Sequence, residues 1–161
     1  MAAAKRVARR PRRRRRPKSQ RYTIDASVFV NAFNPQEDGH LQSLQILTAI
    51  QERGDPMIVP TLLLAEVASA VARGSDDSAG AIRYAIATAA LPHLTLVTLT
   101  PAMARQAAEL AAAHRLRGAD AVYLTVARRY GTTLVSRDEE QRTRGVGVAL
   151  CQTPEEALDD R

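Results

Sequence analysis

The sequence is short of the residues that build covalent and soft-metal frameworks. A single cysteine, Cys151, excludes an intramolecular disulfide and equally a cysteine-held zinc cluster. The three histidines, His40, His93 and His114, show no metal-ligand spacing. No Gly-rich phosphate loop and no Ser-His-Asp arrangement occurs. No uninterrupted apolar run reaches the length that spans a bilayer, and the basic start leads into RYTIDAS without the apolar run of an export signal. There is no internal repeat. A soluble protein of the reducing cytoplasm is expected.

Acids are absent from residues 1–21, which hold eleven Lys or Arg. That leaves twelve basic against seventeen acidic residues in 22–161, so the formal +6 of the whole chain hides a body of about −5 and a tail of +11. A tail reading MAAAKRVARRPRRRRRPKSQR has little to bury and strong self-repulsion, so residues 1–20 are expected to be disordered unless a polyanion neutralises them. A nucleic-acid arm and a dispensable extension are equal readings of such a run. The remainder, 21–161, is long enough for one domain with a real core and too short for two ordinary ones.

Along that body, short apolar segments alternate with helical patterns. Strands are expected at Arg21 to Ile24, Met57 to Val59, Leu94 to Leu99, Thr132 to Val135 and Val146 to Cys151. Helices are expected from about Gly39 to Arg53 with Leu41, Leu44, Leu47 and Ile50 as the apolar stripe, and from a Thr61 cap to Gly74. Others follow from about Asp76 to Ala90, Pro101 to His114 and Ala119 to Tyr130, with a capped turn at Thr153-Pro154-Glu155-Glu156. This alternation implies a mainly parallel sheet covered by helices on both faces, with sites forming beyond the carboxyl ends of the strands. Asp25 and Asp138 each follow a strand candidate directly and belong at that edge.

Four acids stand in apolar surroundings: Asp25 in TIDASVFV, Glu66 in LLLAEVASAV, Asp120 in RGADAVYLTV and Asp138 after TTLVSR. Burying a carboxylate costs several kcal/mol unless a cation or hydrogen bonds compensate. A shared hard ion such as Mg²⁺, which prefers oxygen ligands, would do so. Each acid also has a plainer reading. Asp25 can cap the segment after it, Asp120 can favour a helix N-terminus, and Asp138 opens a DEE run that alone reads as a charged loop or helix start. Glu66 sits mid-helix beside the apolar stripe, where no cap is available to it. Glu139, Glu140, Glu155, Glu156, Asp159 and Asp160 fall in polar clusters and read as solvated.

At these same four segments the sequence resembles the PIN-domain ribonucleases, particularly the VapC-like toxins of toxin–antitoxin pairs. The likeness runs from about Tyr22 to Leu158 through IDASVFV, LLAEVASAV, the block DAVYLTVARRYGTTLVSRD and the closing TPEEAL. It implies a three-layer α/β/α sandwich with a short, mainly parallel central sheet, and it makes Asp25, Glu66, Asp120 and Asp138 a site for Mg²⁺ or Mn²⁺. Ser27 and Ser136 match hydroxyl positions that help arrange that site, and each is equally an ordinary turn hydroxyl. Where many relatives carry an aromatic or large apolar residue shortly after the last acid, this chain has Glu139-Glu140-Gln141-Arg142. The implied activity is metal-assisted hydrolysis of RNA phosphodiesters, with a cognate antitoxin and a homodimer formed through the helical half as partners; the Ala-, Leu- and Val-rich helix pair around residues 61–90 suits such contacts and burial in the monomer core equally.

An acidic site needs basic residues to receive RNA. Arg117, Arg128, Arg129, Arg137, Arg142 and Arg144 are candidates, and Arg117 and Arg137 flank two of the acids. The rival of another class is an inactive PIN-like nucleic-acid-binding or partner-binding domain. A phosphoryl-transfer enzyme with Asp25 as nucleophile is a further rival. It lacks support: Ser27 stands where a dehalogenase-type phosphatase has a second Asp, and no Lys follows Lys18 to serve a receiver-type site.

Overall fold

The structure, a computed structural model, describes residues 20–160. The basic tail expected over residues 1–20 therefore falls, apart from Gln20, outside the described residues. The chain order is β1 (Tyr22–Ile24), α1 (Ala26–Phe33), α2 (His40–Arg53), β2 (Met57–Pro60), α3 (Leu62–Gly74), α4 (Ser78–Ala89), β3 (Leu94–Val97), α5 (Pro101–His114), α6 (Gly118–Tyr130), β4 (Thr133–Val135), α7 (Glu139–Arg144), β5 (Cys151–Gln152) and α8 (Pro154–Asp159). The five strands form one parallel sheet in the order β3-β2-β1-β4-β5, layered between helices as a three-layer α/β/α sandwich. No helix among the described residues is long and apolar enough to cross a membrane.

Strands this short hold because the central ones are covered on both faces. Tyr22, Thr23 and Ile24 are all buried. β1 aligns with β4 through Tyr22 with Thr133, Thr23 with Leu134 and Ile24 with Val135. Thr23, the polar member, donates its hydroxyl to the Ile58 carbonyl at 2.9 Å and meets the Thr132 hydroxyl at 2.6 Å, so no buried polar atom is stranded there. Pro60 stands at the end of β2, where no β1 residue pairs with it and its missing N–H breaks no bond between those strands.

The order 3-2-1-4-5 reverses direction between β1 and β4, making a topological switch point at the carboxyl ends of those two strands. α6 crosses this centre, packing on β1, β2 and β4. Ala121 to Ala127 are buried without interruption, as a helix needs when it is walled on all sides. Gly131, at φ 59°, closes it in the left-handed conformation, with its N–H on the Ala127 carbonyl.

Several elements differ from the pattern reading. Leu41 and Leu44 on α2 are 63 % and 45 % exposed, while Ser43, Ile46 and Ile50 face inward. Residues at three-residue steps drift by about 60° each, so Leu41 and Ile50 lie on opposite sides of the helix. Thr61 makes no side-chain cap; Asp77, rather than Asp76, caps α4 by accepting from the Gly80 N–H. The last strand is only Cys151–Gln152, because residues from Gly145 turn, with Gly147 at φ 84°. Residues 26–33, where no helix is expected above, form α1, while the run opened by Asp138 takes the helix start among its two plain readings.

Leu124 lies fully buried on α6 within the hydrophobic core. Leu124→Ala is expected to cost about 2–5 kcal/mol by lost burial plus cavity. Urea denaturation reads this as a lower midpoint with an unchanged slope; an unchanged midpoint would contradict the packing described.

Candidate active site

β1 delivers Asp25 to the sheet edge with its backbone still extended and its N–H donated to the Val135 carbonyl at 2.9 Å. The side chain is 7 % exposed and divides its oxygens: Oδ2 accepts the Ser27 N–H at 2.9 Å, capping α1, and Oδ1 accepts from Gln141 Nε2 at 3.3 Å. Capping and site geometry thus coexist in one residue. Asp138 leaves β4 in the same way and caps α7, its Oδ1 accepting the Gln141 N–H at 2.9 Å.

Two hydroxyls tie these ends together across the switch point. Ser27 Oγ lies 3.5 Å from Ser136 Oγ and accepts the Arg137 N–H at 3.1 Å, while Ser136 Oγ accepts the Asp138 N–H at 3.0 Å. Asp120 sits in the first turn of α6, where the helix dipole favours a negative charge. Glu66 comes from the middle of α3. The four predicted acids, carried by four separate segments of the chain, lie near enough for the charges of neighbours to act on Asp25, Glu66 and Asp120.

Their electrostatics show the convergence. Burial first, then the Asp138 charge, holds the Asp25 carboxyl above its ordinary range against the lowering hydrogen bonds of Ser27 and Gln141. Glu66 is raised by burial, with the charges of Asp25 and Asp120 adding. Asp120 is pushed up to about 6 by burial, then by Asp138, Asp25 and Glu140, eased by the Arg117 guanidinium. Among the described residues no three Asp, Glu, His or Cys side chains converge, as they stand, to the spacing that grips an ion. The donor set suits a hard divalent cation: four carboxylates, of which Glu66 Oε2 is buried with no hydrogen-bond partner. An oxygen left so costs about 1–3 kcal/mol; the Tyr123 hydroxyl buried beside Glu66 offsets part of this, and a cation would offset more.

Two residues went unnoticed in the sequence. The Tyr123 hydroxyl is buried against Glu66 without a well-formed hydrogen bond, and burial, then the Asp25 and Glu66 charges, drive its proton affinity far up. Its signal is the one-turn spacing from Asp120 on α6. Gln141 is fully buried, and its Nε2 reaches both Asp25 Oδ1 and, at 3.5 Å, the Asp120 carbonyl. Its signal is the Asp138-x-x-Gln141 spacing of a helix start.

The arginines separate. Arg117 is 70 % exposed in its side chain and pairs loosely with Asp138 at 3.5 Å and Glu140 at 3.9 Å. Arg144 also pairs with Glu140, and a shallow groove of about 490 Å³ lined by Asp138, Glu139, Glu140, Thr143 and Arg144 opens beside them. Arg137 is engaged elsewhere: its guanidinium holds the Gly39 carbonyl, Ser43 and, at 3.2 Å, Glu155. It lies so close over Gly39, itself at φ 77°, that a Cβ there would strike it. Arg142 holds the Ser136 carbonyl at 2.7 Å. Arg128 and Arg129 are exposed in the last turn of α6, about 12 Å along the axis from Asp120.

A family model described as the PIN domain matches residues 22–146. No curated protein matches the sequence. Solved structures similar to this chain include VapBC2 from Rickettsia felis bound to a DNA fragment from their promoter, at 14 % identity and TM-score 0.64, covering 83 % of this chain and 98 % of that one. PAE2754 from Pyrobaculum aerophilum is similar at 19 % identity and TM-score 0.65, covering 89 % and 96 %. The Mycobacterium tuberculosis toxin VapC20, described as sarcin–ricin loop cleaving, is similar at 18 % identity and TM-score 0.64, covering 77 % and 95 %. At these identities the likeness is one of fold.

The raised carboxyls fix a pH dependence. Asp120 ionises at about 6 in the fold against an ordinary 3.8, so between those values the native state holds more protons than the unfolded chain. Stability lent by this group is present at low pH and is lost as pH rises through about 6; Asp25 and Glu66 act in the same direction. Metal-free protein is expected to melt at a higher temperature at pH 5 than at pH 7, and Asp120→Asn to shrink that difference. Melting temperatures that instead climb from pH 5 to 7 would contradict the assignment.

Proposed function

The chain belongs to the PIN-domain family, and from that premise we propose that it is a divalent-metal-dependent ribonuclease acting as the toxin of a toxin–antitoxin pair. One observation carries the reading: Asp25, Glu66 and Asp120, from separate segments, are each raised by burial and by neighbouring carboxylates, with Asp138 among those acting on Asp25 and Asp120. Four acids gathered at such cost are explained by a cation and poorly by stability.

Asp25, Glu66 and Asp120 would hold Mg²⁺ or Mn²⁺ through carboxylate oxygens, with Asp138 supporting them. When bound, such an ion polarises a phosphate oxygen, acidifies a water and stabilises the charge of the transition state. The chain's own residues do the rest. The Ser27 N–H and the Gln141 amide fix the orientation of Asp25. Ser136 and Ser27 keep the ends of β1 and β4 at a constant separation. Arg117, exposed and only loosely paired, is the cation best placed to receive a backbone phosphate at the rim.

RNA is the substrate class; the similar Mycobacterium tuberculosis toxin is described as sarcin–ricin loop cleaving. The partners are a cognate antitoxin and a second copy of the chain, in the cytoplasm. Ile82 and Ile86, one helical turn apart on α4 and 54 % and 59 % exposed, supply apolar surface within the 61–90 segment for such contacts.

Incubation of the protein with a mixed set of structured RNAs in Mg²⁺, Mn²⁺ or EDTA tests the activity. Cutting is expected only with metal, and Asp120→Asn, folded by circular dichroism, is expected to lower the rate by more than about 100-fold. Undiminished cutting in EDTA would refute the metal mechanism. A folded parent that cuts nothing with either ion would leave the PIN-like binding domain as the better reading.

A further inference from the structure

Asp138-Glu139-Glu140-Gln141 has the spacing of a capping box, in which the side chain at the third helical position turns back to the N–H of the capping residue. Half of that box forms: Asp138 Oδ1 accepts the Gln141 N–H at 2.9 Å. The other half does not, because Ser136 Oγ already takes the Asp138 N–H at 3.0 Å. Gln141 is thereby released from its own helix, and its side chain runs inward. It is fully buried, with Nε2 3.3 Å from Asp25 Oδ1 and 3.5 Å from the Asp120 carbonyl.

The Asp120 carbonyl accepts in every protonation state and the Asp25 carboxylate accepts when ionised, so the amide presents its NH₂ to them. That orientation strands Gln141 Oε1, buried and without a partner. A buried amide that leaves its own carbonyl unsatisfied in order to hold a carboxylate is poorly explained as packing, where Leu or Met would fill the space without the orphan. Through side chain and backbone, Gln141 touches three of the four acid-bearing residues: the Asp25 carboxylate, the Asp120 carbonyl and the Asp138 carboxylate.

We propose that Gln141 is a positioning residue of the site, a neutral brace whose amide orients the Asp25 carboxylate and ties it to the start of α6 and the cap of α7. The role rests on the reading of the four acids as a cation site. A neutral donor suits the place better than Lys or Arg: it orients a carboxylate without cancelling the charge that attracts the cation.

Two readouts besides activity test it. In metal-free protein, the Gln141 side-chain amide protons should give two resolved resonances that exchange slowly with water and move when Asp25→Asn removes the carboxylate. By calorimetry, Gln141→Met should weaken Mn²⁺ binding by about 10–100-fold, while its metal-free melting remains cooperative and within a few degrees of the parent. Gln141→Leu repeats the test with a branched side chain should the methionine variant fold poorly. A Gln141 amide that exchanges like a solvated one, or a Gln141→Met variant that binds Mn²⁺ as tightly as a parent that does bind it, overturns the role and leaves the cation site standing. A parent that takes up no Mn²⁺ overturns the cation site, and the role with it.

Discussion

Carboxylates repel one another, and lifting them out of water makes each charge costlier still. At the carboxyl edge of this sheet Asp25, Glu66, Asp120 and Asp138 are brought within reach of each other's fields, with burial the largest influence on Asp25, Glu66 and Asp120. Such a cluster tends to splay, so the fold around it must be stiff. The stiffness comes from β1 and β4 at the centre of the parallel sheet, from α6 buried across three strands, and from hydrogen bonds that spend backbone N–H groups on the acids themselves. Proton uptake gives the apo protein some relief. A divalent cation would give more, and would convert the strain into binding energy.

The same tension sets the division of labour among the polar side chains. Asp25 and Asp138 each commit one oxygen to capping a helix, leaving the other to the Gln141 amide in Asp25 and to the Arg117 guanidinium in Asp138. Ser27 and Ser136 bridge the two strand ends. Arg137, adjacent to Asp138 in sequence, turns away to fasten the loop before α2 to Glu155 on α8, whereas Arg117 stays exposed at the rim. Positive charge is thus kept at the edge of the acid cluster and out of its centre.

How much of this was legible follows from where the information lies. Asp25 and Asp138 could be placed because each follows a short apolar strand in an alternating pattern, and such patterns put strand ends at a site. Asp120 was legible as an acid at a helix start, and Glu66 as an acid that neither cap nor solvent explains. The sheet order was not legible, since which strands flank β1 is decided by crossovers rather than by any segment. Local reading also failed where tertiary packing overrides it. The α2 stripe drifts off its face, and the 145–150 segment turns where a strand pattern runs. Gln141 was passed over because its capping-box spacing predicts a side chain turned back on its own helix; only the presence of Ser136 at the Asp138 N–H shows why it points inward. Tyr123 looks like core until Glu66, from a helix distant in sequence, is seen against it.

The central claim is that these four acids form one cation site, and the most direct measurement is a calorimetric titration with Mn²⁺ at pH 6 and pH 8, each in two buffers of different ionisation enthalpy. Since Asp120 ionises at about 6 and Asp25 and Glu66 are raised as well, binding should release protons at pH 6 and markedly fewer at pH 8, with tighter affinity at the higher pH. Binding whose affinity and proton release are the same at both pH values, or no binding at either, would contradict it.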